Sequence, residues 1–270
     1  STGEIKSIVN LSRTENGKYF ERFNYAVAES QEPGSTFKLM SIIATLENDD
    51  AIEKKLINTK NGEITFYDKY KVRDSKKGGY GIINPSKVFE VSSNTGIVRL
   101  VYDTYKNNPK KFVDRIYNMG LNDLLGLSIK GEGKPFIPYP GEKNWSGISL
   151  PWMAFGYGIK LTPLQILSFY NGVANGGEIV KPRFIYKVKN PGSSSIKSYD
   201  KEILNPSICT KTTLKKVQKM MFNVIDKKWG TANKIKSKKL KMAGKTGTCQ
   251  VDYTSKETQY ISSFVGYFPY

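Results

Sequence analysis

The stretch from Lys38 to Leu46, KLMSIIATL, limits the possible folds more than any other part of this chain. Leu39, Ile42, Ile43 and Leu46 recur at i, i+3, i+4 and i+7, and Phe37 and Met40 fill the remaining flanks, the pattern of a helix apolar on nearly every side. Such a helix must be enclosed by other elements, and 270 residues suffice for that, as one large domain or two lobes around a common core. Pro33 and Gly34 mark the helix start, and its first turn carries Ser35 and Lys38 three residues apart on one face. Backbone N–H groups in a first turn lack intrahelical partners, which makes it a place to stabilise an oxyanion. Ser35 as a simple N-cap and Lys38 as a solvated charge would give the same local pattern. What accompanies the pair elsewhere in the chain decides between these readings.

The chain has no histidine. Ser–His–Asp and Cys–His catalysis are therefore impossible within it, as is any histidine metal ligand. A serine nucleophile would need another base, and lysine fits if burial or a neighbouring cation lowers its pKa from about 10.4. Two cysteines, Cys209 and Cys249, are too few for a disulfide framework or for a zinc site on their own, and their pairing is left open. Lys and Arg total 42 against 24 Asp and Glu, a net +18 that favours polyanions such as nucleic acid, an anionic membrane surface or a phosphate-bearing polymer. The lysines are scattered, with a local run in Lys234–Lys241, and no nucleic-acid motif accompanies them, so a solubility role is expected for much of the charge.

Apolar residues at 39% and aromatics at 12% describe a globular chain. No apolar run reaches bilayer-spanning length, and no signal-peptide pattern opens the sequence. Gly3–Leu11 predicts a strand with Ile5, Val9 and Leu11 on one face, so the sequence is expected to begin inside a domain. It stops at Tyr270 just after the strand-like Ser263–Phe268, which predicts a fragment of a longer chain. Between these ends, residues 63–67 and 70–73 predict a hairpin or surface arm. Residues 84–125 predict helices with breaks near Asn94, Asn107-Asn108-Pro109 and Gly120, and loop signals dominate from Gly126 to Pro151. Thr162-Pro163-Leu164-Gln165 predicts a capped helix start that runs to Gly176-Gly177. Strand-like pieces at 178–189, a loop at 190–198, a helix at 210–227 and two strands at 242–250 and 260–268 complete the order. This arrangement predicts an α/β lobe, residues 1–46 and about 175–270, interrupted by a mainly helical lobe over about 47–174 with a small hairpin at 62–75.

Two further motifs accompany Ser35 and Lys38: S-x-N in Val91-Ser92-Ser93-Asn94-Thr95-Gly96, and K-T-G in Ala243-Gly244-Lys245-Thr246-Gly247-Thr248. S-x-x-K, S-x-N and K-T-G in this order resemble the signature shared by penicillin-binding proteins and class A β-lactamases. EPGSTFK, SSNTG, GYGIKLTPLQ, AGKTGT and SFVGYFP each resemble a segment of the transpeptidase domain of class B penicillin-binding proteins, in the expected order along almost the whole chain. Glu32 before Pro33-Gly34 is more similar to the division-type branch than to the elongation-type one.

The resemblance implies an α/β fold of the penicillin-binding-protein transpeptidase and serine β-lactamase kind. An antiparallel sheet packed by helices would face a mostly helical lobe, with the active site in the cleft between them. It implies a peptidoglycan D,D-transpeptidase in which Ser35 is acylated by a peptide ending in D-Ala-D-Ala, or by a β-lactam, with no cofactor and no metal. Lys38 would be the base for Ser35, helped to its neutral form by the nearby cation of Lys245. Ser92 would relay a proton between Lys38 and the leaving amine, and Asn94 would orient Lys38 and the acyl donor. Backbone N–H groups of Ser35 and Thr248 would form the oxyanion hole, with Lys245 and the hydroxyls of Thr246 and Thr248 on the terminal carboxylate. Gly247 would admit the substrate backbone close to its strand. Expected partners are stem peptides, β-lactams, and a glycosyltransferase with other division or elongation proteins; nucleic acid is not among them. The expected location is the outer, periplasmic-side face of the bacterial cytoplasmic membrane, through an N-terminal anchor absent from this sequence. A further strand and helix are expected beyond Tyr270, without which the sheet edge is incomplete.

A serine β-lactamase would share Ser35, Lys38 and Lys245 but needs a Glu-positioned water, carried in class A enzymes by an E-x-x-L-N loop. Nothing between 97 and 175 matches, and Glu202-Ile203-Leu204-Asn205 has the wrong spacing and place. A β-lactam sensor domain is a related alternative. A non-catalytic basic scaffold for anionic envelope polymers rests on the charge alone and predicts that Ser35 is dispensable.

Overall fold

The computed structural model describes residues 2–192, 196–251 and 259–270. At its centre lies the α-helix Lys38–Asn48, and every residue from Lys38 to Leu46 is buried. Helices Pro85–Glu90, Asn94–Tyr105, Pro109–Asn118 and Lys211–Asp226 pack around it. The enclosure predicted from the all-round apolar pattern is therefore met by four separate helices. Two of its buried polar groups are satisfied from outside the helix: Tyr105 donates to the carbonyl of Ala44 at 2.6 Å, and Ser41 to that of Ala154 at 2.9 Å. Truncating any of Leu39, Ile42, Ile43 or Leu46, all at most 2% exposed, to Ala costs about 2–5 kcal/mol.

Ser35 stands on a short 3₁₀ turn, Gly34–Phe37, that feeds the α-helix, and not on the α-helix itself. Residues i and i+3 eclipse in this tighter turn, so Ser35 and Lys38 overlie one another more closely than α-helical spacing predicts. The turn is held by close backbone contact. The N–H of Gly34 donates to the carbonyl of Gly156 at 3.0 Å. A Cβ on Gly156, whose φ is +89°, would lie 2.1 Å from the carbonyl oxygen of Gly34, so the GYG segment is glycine at that point for want of space as well as for conformation.

The C-terminal hairpin pairs Ala243–Val251 with Gln259–Tyr267 antiparallel in unbroken register, from Ala243 opposite Tyr267 to Val251 opposite Gln259. It packs on helix Lys211–Asp226 and on the Gly34–Phe37 turn. Among the described residues the strand Gln259–Tyr267 has this one partner, and Tyr260 and Phe264 are exposed. The helix Pro163–Ala174 begins with the predicted capping box: Thr162 Oγ1 accepts from the N–H of Gln165, and Gln165 Oε1 accepts from the N–H of Thr162. The arm predicted at 63–73 is the hairpin Glu63–Phe66 with Tyr70–Arg73.

Two expectations differ from the structure. Gly3–Leu11 is not a strand; it makes one isolated bridge, Glu4 beside Arg183, and Val9 and Leu11 are exposed. The buried residue here is Asn10, which donates to Asn24 Oδ1 and accepts from the N–H of Ala26, both at 2.9 Å, so a side-chain anchor replaces a ladder. The predicted loop at 190–198 ends in a strand, Ile196–Ser198, that pairs with Lys187–Lys189. Ser193–Ser195 and the turn between the two C-terminal strands lie outside the described residues. Both cysteines are free, buried thiols.

Candidate active site

Three elements bring the predicted residues together. The turn before the central helix supplies Ser35 and the first residue of that helix Lys38, the connection between helices Pro85–Glu90 and Asn94–Tyr105 supplies Ser92 and the first residue of the second helix Asn94, and the strand Ala243–Val251 supplies Lys245, Thr246, Gly247 and Thr248. Lys38 and Lys245 are both fully buried, while Ser35, Ser92, Asn94 and Thr246 are partly open and Thr248 is exposed. The arrangement is a polar floor, with two lysines beneath and hydroxyls above.

Lys38 Nζ lies 2.6 Å from the Ser92 carbonyl, 2.6 Å from Asn94 Oδ1 and 3.2 Å from Ser92 Oγ. Asn94 Nδ2 donates to the Arg73 carbonyl at 2.8 Å, and this fixes its amide with the oxygen towards Lys38. Two of the three contacts of Lys38 can therefore only accept. A neutral amine spends its two hydrogens on them, and its lone pair falls towards Ser92 Oγ. On the other side of that hydroxyl Lys245 Nζ donates at 2.8 Å, and it donates also to the Thr246 carbonyl at 2.9 Å. Ser92 is thus a hydroxyl wired between two lysines. Ser92 itself has φ of +57°, a left-handed conformation rare for a non-glycine residue.

Burial, and then the charge of Lys245, push the Lys38 amine well below the usual lysine value, while the Asp74 carboxylate opposes them. Burial alone brings Lys245 down to about 7. The predicted help from Lys245 is present but second to desolvation. Among the described residues Ser35 Oγ makes no hydrogen bond to Lys38; catalytic hydrogen bonds are commonly long without substrate and tighten when it binds.

The strand bearing Lys245 presses on the Ser35 turn. A Cβ on Gly34 would meet the Thr248 carbonyl at 2.7 Å, so the backbone at Thr248 runs directly beside the residue before Ser35. A Cβ on Gly247 would meet Ser263 Oγ at 2.2 Å and Thr36 Cγ2 at 2.9 Å. This packing is a reason for glycine independent of any substrate. Glu32 accepts from the N–H of Gly158 at 2.8 Å and lies 3.6 Å from Cys249 Sγ, joining the start of the turn to the GYG segment and to the strand.

Several residues that hold this site carry no signal in the sequence. Asp74, just past the arm hairpin, accepts from Ser93 and Thr95. Glu90, 4% exposed, accepts from Asn223 at 2.6 Å and Trp229 at 2.7 Å. Thr231 donates its N–H to the Glu90 carbonyl at 3.3 Å, and its hydroxyl lies 2.7 Å from that of Thr246. Tyr170 donates to the Thr36 carbonyl at 2.8 Å, bracing the turn behind Ser35. Glu202, considered above for a hydrolytic role, is on the surface with Lys181.

The chain belongs to the penicillin-binding protein transpeptidase domain family, whose model matches residues 1–270. It is 27% identical to stage V sporulation protein D of Bacillus subtilis over 255 residues, covering 91% of this chain and 37% of that protein. It is 28% identical to peptidoglycan D,D-transpeptidase FtsI of Buchnera aphidicola (strain Bp) over 277 residues, covering 99% of this chain and 45% of that one. The chain therefore spans less than half the length of these relatives. Among solved structures, the transpeptidase domain of penicillin-binding protein 3 from Burkholderia pseudomallei superposes with a TM-score of 0.77 at 22% identity, over 99% of this chain and 73% of that one. Penicillin-binding protein 3 of Mycobacterium tuberculosis, in complex with aztreonam, superposes with a TM-score of 0.74 at 25% identity, over 90% and 54%. The fold is the α/β transpeptidase fold, with helices and antiparallel strand pairs around the central helix.

Proposed function

We propose that this chain is the acyl-transfer domain of a peptidoglycan D,D-transpeptidase of the division-type branch, acylated and inhibited by β-lactams. The observation that carries this reading is the Lys38–Ser92–Lys245 chain of contacts at the foot of the Ser35 turn. Ser35 Oγ attacks the carbonyl carbon of the penultimate D-Ala while its proton passes to neutral Lys38. The oxyanion is held by the N–H groups of Ser35 and Thr248. As the C–N bond breaks, the proton returns through Ser92 to the leaving D-Ala amine. An acceptor amine from a second stem peptide then attacks the ester, loses a proton along the same route and frees Ser35. Lys245, Thr246 and Thr248 take the terminal carboxylate common to the peptide and to penicillins. Asn94 holds Lys38 in place.

The division-type assignment draws on Glu32 and on the FtsI and sporulation relatives. The enzyme works where its polymer substrate lies, on the outer face of the cytoplasmic membrane. Among the described residues no helix is long and apolar enough to cross a membrane. A glycosyltransferase and other division proteins are the proposed partners. The test is the fate of the acyl-enzyme. A transpeptidase keeps a penicilloyl label for many turnover times of a β-lactamase and passes a peptide acyl group to an added D-amino acid. Rapid release of hydrolysed penicillin with no transfer would instead make the chain a β-lactamase.

A further inference from the structure

Building on the Ser35 reading, we propose that Asp74 is a positioning residue: it clamps the Ser92–Asn94 loop to the arm hairpin and so fixes the place of Lys38. The Asp74 carboxylate accepts from Ser93 Oγ at 3.0 and 3.1 Å, from the N–H of Thr95 at 2.9 Å and from Thr95 Oγ1 at 2.7 Å. The preceding residue adds a fourth donor to the clamp, since the Arg73 carbonyl receives Asn94 Nδ2. Residues 73 and 74 thus bind three consecutive residues of the loop. Ser93 and Thr95 are fully buried, and Ser93 Oγ also caps the following helix by accepting from the N–H of Gly96 at 2.9 Å.

Such a clamp has a purpose at Ser92. Its left-handed backbone is strained and persists only where the surroundings over-determine it. The carbonyl and hydroxyl of that same residue are two of the three contacts of Lys38, and Asn94 is the third. A loop free to relax would move all three at once. The arm itself is anchored: the N–H of Asp74 donates to the Gly62 carbonyl at 2.9 Å, and the Arg73 side chain is engaged by Glu63 at 2.6 Å, leaving the Asp74 carboxylate to the loop.

The clamp also carries charge. The charged groups acting on Lys38 are Lys245 from the C-terminal hairpin and Asp74 from the arm, with opposite effects. Tyr80, which donates to the Val91 carbonyl at 3.3 Å, is the titratable group on the far side of the loop. Asp74→Asn keeps the shape and one of the two acceptor oxygens that the clamp uses while removing the negative charge. The neutral amine of Lys38 then becomes easier to form, and the acid limb of the acylation rate against pH moves to lower pH. Asp74→Ala removes the clamp itself, and acylation at the plateau pH falls about ten- to a hundred-fold, the loss expected for hydrogen bonds to a charged group.

The experiment measures acylation by a chromogenic cephalosporin across pH for the chain and both variants, with amide hydrogen exchange of residues 92–96 alongside. Support is a lowered acid limb in Asp74→Asn, a reduced plateau in Asp74→Ala, and faster exchange of the loop amides in Asp74→Ala. An unchanged acid limb in Asp74→Asn or an unchanged plateau in Asp74→Ala overturns the proposal. If the unmodified chain is not acylated at all, the Ser35 reading fails, and hydrogen exchange alone then judges the clamp. Unchanged loop exchange in Asp74→Ala would overturn it, and exchange also reports on any variant too unstable for kinetics.

Discussion

Lys38 and Lys245 are unusual as residues before they are unusual as a pair. A fully buried ammonium is costly unless it sheds its proton, and both amines are pushed down for that reason. Lys38→Arg keeps the charge and cannot give it up near neutral pH, so acylation should fall by orders of magnitude with the fold retained. A near-unchanged acylation rate would assign the base elsewhere. Lys245 ties the site to stability. Its folded pKa of about 7 lies below the 10.5 of an unperturbed lysine, so between those values the unfolded chain binds more protons and stability rises with pH. Below about pH 7 the folded state must bury a charge. Lys245→Met removes that cost, so the stability of the variant relative to the unmodified chain should be greatest at low pH and decline towards pH 10. Urea unfolding at several pH values measures the difference; a constant difference would show that folding does not shift the Lys245 pKa.

Elements decide how precisely these residues meet. Gly156→Ala places a methyl group on the Gly34 carbonyl in a left-handed conformation, and should lower both thermal stability and acylation. Thr162→Ala removes a capping box remote from the chemistry. It should cost about 1 kcal/mol, a loss of roughly 2–4 °C in melting temperature, with acylation unchanged. If Thr162→Ala slowed acylation as much as Gly156→Ala, helix Pro163–Ala174 would be coupled to the site more tightly than through Tyr170 alone. The same elements show what a sequence discloses. The central helix and the capping box were legible because each is set by neighbours within a few residues, and the three motifs through their joint resemblance to a known signature. Asp74 and Glu90 were not, because their partners come from other elements and an isolated acidic residue looks the same whether solvated or enclosed. Gly3–Leu11 misled because its alternation continues past the one bridge, Glu4 beside Arg183, at which its pairing is made, and Asn10 anchors the rest of the segment.

At the scale of the molecule, a net charge of +18 opposes association through the strand Gln259–Tyr267, which among the described residues pairs on one side only. The strand Gln259–Tyr267 presents Tyr260 and Phe264 at 60% and 49% exposure, an edge suited to pairing with another chain. Like-charge repulsion opposes such pairing at low ionic strength and is screened as salt rises. Sedimentation should therefore show self-association increasing with salt, and Tyr260→Lys should reduce it without altering acylation. Association that fell with salt would mean that ion pairs, and not the edge, hold the copies together. The acyl-transfer reading turns on one atom, Ser35 Oγ, partly open on the turn that leads into the helix of buried Lys38. Intact-mass measurement after incubation with a penicillin tests that reading most directly. A single covalent adduct is expected, located on Ser35 and absent from Ser35→Ala; an adduct on another residue, or one that persists in Ser35→Ala, would overturn the assignment of Ser35 as the nucleophile.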